Sequence, residues 1–234
     1  MSRRVAPLLR RAERHGPLLK SLAVGLAASL LGLAFFVLAS EVGEGETRSF
    51  DMHLLQLAQS LRGARPGFVE AMRDLSSLGS TTVLTLFTVM SVAYLASIQA
   101  RTTAMLVAAS VLTGTLAVGA LKVVFGRARP DVQFAELVVP GLSFPSGHAS
   151  MATIVFLTLG AFLASTRSRA AERGVILATA ALLTMLVGLS RAALGVHWAT
   201  DVLGGWAFGT GWALAWLLLD RHLIDDRSPL NRPS

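Results

Sequence analysis

The sequence predicts an all-α polytopic membrane protein with six transmembrane helices and both termini cytoplasmic. Three observations carry this expectation: an apolar composition, six intervals free of charged side chains, and an uneven spread of basic residues between them. The 234-residue chain is 53% hydrophobic and only 15% charged, with a mean hydropathy of +0.60. A soluble domain carries about 25% charged residues. So little polar surface cannot wrap a globule of this size, and the apolar excess is expected to face a bilayer. The chain has no cysteine, which removes disulfides, thiolate metal sites and thiol nucleophiles. A net charge of +7 and a pI near 11.3 would suit a nucleic-acid binder. The charges, however, sit in short segments between long apolar runs, where basic residues orient spans. No nucleic-acid partner is expected.

No Asp, Glu, Lys or Arg lies between Lys20 and Glu41, Asp74 and Arg101, or Arg101 and Lys122. The same holds from Glu136 to Arg167, from Arg173 to Arg191 and from Asp201 to Asp220. A spanning helix needs about 20 residues. Backbone in hydrocarbon has to satisfy its own hydrogen bonds, so each interval is expected to be a helix. With the N-terminus inside, the inner segments hold 13 of the 21 Lys and Arg residues. Glu41, Glu44, Glu46, Asp51, Glu70 and Asp74 then fall in the first outer segment. Residues 51–62 have helical apolar spacing but are too short to span, and read as an interfacial helix. Ser21–Ala39 is longer than the apolar region of a signal peptide and reads as a span, not a cleaved leader. Residues 1–224 are expected to form one domain, with a basic cytoplasmic segment at 1–20 and a disordered tail at 225–234.

Three junctions, all on the outer face under this topology, carry chemistry. Lys122 and Arg129-Pro130 leave the third span, Pro145-Ser146-Gly147-His148 enters the fourth, and Ser190-Arg191 leaves the fifth. His197 and Asp201 then enter the sixth. Ionisable residues at such depths are functional suspects by default. Lys122, Arg129 and Arg191 supply three cations, two of them guanidinium forks matched to a tetrahedral oxyanion. Ser146 is placed to cap the fourth helix, leaving the amides of Gly147 and His148 at a positive helix end, a ready anion site. Asp201 follows His197 by four residues, close enough to hold one ring nitrogen and free the other for attack on phosphorus. His148 is then available as acid and base. The His–Asp spacing points to His197 as the nucleophile, though by itself it does not rank the two histidines decisively. Each block alone reads blandly: a snorkelling lysine, a loop entry, a helix cap. Their conjunction is what signifies. Arg127 reads as a snorkelling or rim charge, and His15, His53 and His222 belong to no constellation.

The eleven positions of these blocks, Lys, six residues, Arg-Pro; Pro-Ser-Gly-His; Ser-Arg, five residues, His, three residues, Asp, match in order and spacing a three-part signature. It resembles that of the type 2 phosphatidic-acid phosphatase superfamily, which holds membrane lipid phosphatases, soluble acid phosphatases and vanadium haloperoxidases. The resemblance implies His197 as nucleophile, Asp201 as its orienting partner and His148 as general acid and base. It implies Lys122, Arg129, Ser146, Gly147 and Arg191 as phosphate ligands, with no metal and no cofactor. It further implies a lipid phosphate substrate entering from the outer leaflet of an inner membrane. Phosphatidic acid, phosphatidylglycerol phosphate and undecaprenyl diphosphate are the expected candidates, hydrolysed through a phosphohistidine. A lipid phosphotransferase is the alternative, distinguished by transfer to an acceptor lipid in place of phosphate release. A lipid or anion transporter would have little use for the His–Asp pair, and six apolar spans argue against a haloperoxidase.

Overall fold

The computed structural model describes residues 6–225, and the expected tail lies outside them from residue 226 onward. Among the described residues all regular structure is helical: α1 (Ala6–Glu44), α2 (Arg48–Ala64), α3 (Pro66–Ser77), α4 (Thr81–Ser97) and α5 (Arg101–Phe125). A 3₁₀ turn at Val132–Phe134 precedes α6 (Gly147–Ser165), α7 (Ala170–Ala193) and α8 (Ala199–Asp225). Among the described residues six stretches are long and apolar enough to cross a bilayer: Ser21–Glu44, Gly67–Ser97, Arg101–Phe125, Gly147–Ser165, Ala170–Ala193 and Ala199–Asp220. These are the six expected spans, with one difference. The second comprises two helices, α3 and α4, because Asp74, which bounds the charge-free interval, sits on α3. Glu70, Arg73 and Asp74 are exposed there, while Phe68, Met72 and Leu75 on the same helix are partly buried. Pro66 starts α3 at its first turn, where a missing N–H costs nothing. Ser80 starts α4 by accepting the Val83 amide at 3.3 Å.

The helix expected over 51–62 is α2, longer at both ends. Its buried residues are Asp51, Leu55, Ala58 and Arg62, a stripe at spacings of four and three that marks one helix face. Both ends of that stripe are charged and both are tied down. Arg62 donates to the carbonyls of Ala193 and, at 2.7 Å, Phe134, and pairs with Glu136 at 3.1 Å. Gly195, after α7, is where this loop stack closes. Its φ of +70° favours glycine, and an added Cβ would lie 1.9 Å from the Phe134 carbonyl oxygen.

The axial helix is α6, with 56% of its apolar window buried against 11% for α1. Small residues let α8 approach it. A Cβ on Gly205 would meet the Ala149 Cβ at 2.9 Å, and one on Gly209 would meet the Ser150 carbonyl at 2.7 Å. Glycines four apart let helix backbones touch where lipid supplies no hydrophobic drive. The consequence for the site is direct: the N-termini of α6 and α8 lie side by side, and the Ser146 amide donates to the Asp201 carbonyl at 2.9 Å. Phe144, fully buried, stacks on Phe35 of α1 and meets Phe125 of α5 edge-on at 5.2 Å. That aromatic cluster pins the segment that feeds Ser143 into the site.

Candidate active site

The eight residues singled out in the sequence come from four helices and the loops adjoining them, and converge at one end of the bundle. Lys122 lies in the last turn of α5 and Arg191 in the last turn of α7. Ser146 caps α6, with Gly147 and His148 in its first turn. Asp201 lies in the first turn of α8, and Arg129 and His197 lie in the adjoining loops. Each of Lys122, Arg129 and Arg191 is close enough to sense the others electrostatically, and His148 senses all three together with His197.

His197, 2% exposed, is held from both sides. Its Nδ1 faces Asp201 Oδ2 at 3.2 Å, and its Nε2 faces Arg129 Nη1 at 2.9 Å. A guanidinium has no acceptor, so the nitrogen meeting Arg129 carries the lone pair and Nδ1 carries the proton. Chemistry thus assigns the tautomer. Burial pushes the His197 pKa down from 6.5 to about 4, with the Asp201 hydrogen bond and charge opposing. The ring is therefore neutral at pH 7, with its unprotonated Nε2 accepting from Arg129. Burial also lowers the Arg129 pKa, with Asp201 opposing.

Asp201 is fully buried and its carboxylate is saturated. Oδ2 accepts from the Ser143 hydroxyl, from the Trp198 amide at 2.9 Å and from His197. Oδ1 accepts from Arg127 Nη1 at 2.6 Å. A buried carboxylate keeps its charge only when donors of this kind surround it.

The anion-facing donors are partly engaged and partly spare. Lys122 Nζ donates to the carbonyls of Leu142 at 2.8 Å and Ser143 at 3.1 Å, which leaves one of its three protons. Arg129 donates from Nε to the Gly141 carbonyl at 3.0 Å and from Nη1 to the Val196 carbonyl at 2.7 Å. Arg191, 3% exposed, donates from Nη1 to Ser76 Oγ at 2.8 Å, while its buried Nε has no partner among the described residues. Ser146 Oγ accepts the Ala149 amide at 3.5 Å, as the helix-cap expectation required. The first-turn amides of Gly147 and His148 have no intrahelical acceptor to reach.

Sequence reasoning missed four residues. Arg127 is no rim charge: its side chain is only 15% exposed and pairs with both Asp51 and Asp201 at 2.6 Å. The two-residue spacing from Arg129 was the one signal that could have found it. Asp51, in sequence one of the outer-segment acids, is buried. Ser143 and Ser76 reach the site from outside the three blocks, and no local pattern marks them. His53 and His222 are exposed, as expected, and the His15 side chain lies outside the described residues.

Two cavities adjoin the site. One of about 460 Å³ runs between α2, α3, α7 and α8, lined by apolar side chains such as Leu54, Leu61, Met72 and Leu203, and reaches His197. The other, about 540 Å³ and polar, is bounded by Thr47, Arg48, Arg127, Arg129, Asp131 and Trp198.

The family model of the PAP2 superfamily matches residues 103–224, a range that contains all eight of the converging residues. Phosphatidylglycerophosphatase B of Bacillus subtilis is 32% identical over 181 residues, covering 76% of this chain and 87% of that protein. The crystal structure of the transmembrane PAP2-type phosphatidylglycerolphosphate phosphatase from Bacillus subtilis superposes with a TM-score of 0.76 at 28% identity. It covers 87% of this chain and 98% of that one. With six apolar helices and a transmembrane relative on the same fold, this is an integral membrane protein, and it belongs to the PAP2 superfamily.

Proposed function

We propose that this chain is a membrane lipid phosphate phosphatase that works through a phosphohistidine on His197. The observation that carries the reading is the fixed state of that ring: Nδ1 tied to Asp201 and Nε2 presenting its lone pair beside Arg129. Nε2 attacks phosphorus, the bond from phosphorus to the lipid oxygen breaks, and protonated His148 gives its proton to that oxygen. Neutral His148 then takes a proton from water, whose oxygen attacks the phosphohistidine, releasing inorganic phosphate and restoring His197. Lys122, Arg129 and Arg191, with Ser146 and Gly147 shaping the amide end of α6, bind the phosphoryl oxygens and neutralise their charge, which is most of what phosphoryl transfer needs. These cations take the place a metal holds elsewhere, and activity is expected to survive chelators.

The two cavities fit a lipid: acyl chains in the apolar one, headgroup in the polar one. Phosphatidylglycerol phosphate is the leading substrate, because the Bacillus relative is a phosphatidylglycerophosphatase; phosphatidic acid and undecaprenyl diphosphate follow. Both termini face the cytoplasm, and the site opens on the outer side of the inner membrane. The test is phosphate release by the purified protein in detergent and EDTA from each of these lipids, with His197→Ala as control. Release that the variant abolishes is the expected result. Transfer of phosphate to a second lipid without release, or strict dependence on a divalent ion, would count against it.

A further inference from the structure

Asp51 and Arg127 have no role in the chemistry above, yet they are joined to the carboxylate that holds the nucleophile. Arg127 spreads its fork over two buried acids, Nη1 on Asp201 Oδ1 and Nη2 on Asp51 Oδ2, each at 2.6 Å. Thr200 closes the triangle. Its hydroxyl accepts from Arg127 Nη1 at 2.8 Å and donates to Asp51 Oδ2 at 2.7 Å, and its amide donates to Asp51 Oδ1 at 3.0 Å. Thr47 adds a bond to Asp51 Oδ2 at 3.3 Å. Both carboxylate side chains are fully buried. One guanidinium between two buried carboxylates is a device whose geometry is strongly determined, since freeing any member leaves a charge without a partner.

We infer that Asp51 and Arg127 are positioning residues for phosphoryl transfer: Asp51, on α2, holds the Arg127 fork, and the fork holds Asp201 where it orients His197. This rests on His197 as the nucleophile. Neither residue touches the phosphate. Arg127 also sits over the Trp198 ring at 5.5 Å, so it braces the segment between His197 and Asp201 from two directions. Asp201, Arg129, Lys122 and His148 act on His197 directly, and Arg191 faces His148 and Arg129. Arg127 and Asp51 reach it through Asp201.

The sign of the charge separates positioning from packing. Asp51→Asn removes a negative charge and leaves Arg127 to draw more on Asp201, so His197 becomes harder to protonate. Arg127→Gln leaves two carboxylates uncompensated, so His197 becomes easier to protonate. On phosphatidic acid in detergent, each variant is expected to lower kcat about tenfold to hundredfold, the scale set by a misplaced reacting group, with KM nearly unchanged. The acid limb of kcat is expected to move down in pH for Asp51→Asn and up for Arg127→Gln, each by about half a unit or more. Arg127→Lys, which keeps the charge but cannot fork, should lose kcat with little movement of the limb. Variants are first checked for wild-type melting temperature and gel-filtration profile. Where Asp51→Asn does not fold, Thr200→Val removes the hydroxyl that bridges Arg127 and Asp51 and should lower kcat several-fold. Unchanged kcat in folded variants, or limbs moving the same way, would overturn the inference. Absence of phosphate release from the unaltered protein would instead overturn the proposed function. The titration of the His197 ring, followed by NMR of histidine-labelled protein in the same detergent, would then still reveal whether the opposed shifts exist.

Discussion

The two walls of the site are built on different principles. On the α8 wall, His197 and Asp201 are locked: both ring nitrogens and both carboxylate oxygens have protein partners. On the α6–α7 wall, the donors are left with capacity to spare. Arg191 has one partner, Ser76, and a buried Nε without one among the described residues. The His148 ring is half-buried and makes no hydrogen bond among the described residues. The difference follows from the tasks proposed for each wall. A nucleophile gains from being preorganised before substrate arrives, whereas an acid–base group has to exchange protons with substrate and water in turn.

The sharpest way to break this comparison is to remove the locked ring. His197→Ala is expected to lower phosphate release from a lipid phosphate by at least about 10⁴-fold, and to abolish any acid-labile phosphoprotein, read by radiolabelled quench. A phosphorylated His197→Ala protein would move the nucleophile elsewhere. Next in size is Asp201→Asn, which keeps the shape but offers Nδ1 an ambiguous partner; a loss of about 10³ to 10⁴ in kcat is expected, the scale of tautomer loss in a comparable His–Asp pair. On the opposite wall, His148→Ala should cost about 10² to 10⁴ in turnover, with phosphoenzyme accumulating if the second step suffers more. Loss confined to the first step, with no trapped intermediate, would show that His148 serves only that step.

The pH dependence sharpens the same contrast. Because His197 titrates near 4 when folded and near 6.5 when exposed, its lone pair is kept well into the acid range. The acid limb of kcat is expected well below pH 6.5. Stability follows the depressed-pKa sign: the contribution is fully present above about 6.5 and is lost as pH falls toward 4, because only the unfolded chain takes up the proton. Thermal melts of the wild type and of His197→Ala at pH 7 and pH 5 check this; a fall in stability toward pH 5 no larger in the wild type than in the variant would contradict the buried neutral ring. The smallest effect is expected at Ser76→Ala. Arg191 would lose its one acceptor among the described residues, and a buried donor left open costs about 1–3 kcal/mol. The readout is a modest fall in melting temperature with kcat/KM lowered only several-fold, since bound phosphate restores an acceptor.

Much of this molecule was legible in one dimension. The α6 cap at Ser146, the i,i+4 partnership of His197 with Asp201, and the cations at helix ends are all local arrangements whose geometry follows from spacing on a helix. The second span was less legible, because exposed Glu70, Arg73 and Asp74 hid the apolar face that α3 carries beneath them. The part Asp51 plays was hidden for a related reason. Its neighbours in sequence are those of an outer-segment acid, and only its neighbours in space, Arg127 and Thr200, show that it is paired.

By itself, then, the sequence determined the all-helical class, the six apolar spans and the eight residues that converge, because hydropathy, charge and helix periodicity act over a few turns of chain. The tertiary structure alone decided which donors surround Asp201, which nitrogen of His197 carries the lone pair, and that α2 is fastened across the site by Asp51 at one end and Arg62 at the other. Those depend on which helix ends meet, and that is settled by close approach at Gly205 and Gly209 and by buried charges seeking partners, interactions that join residues far apart along the chain.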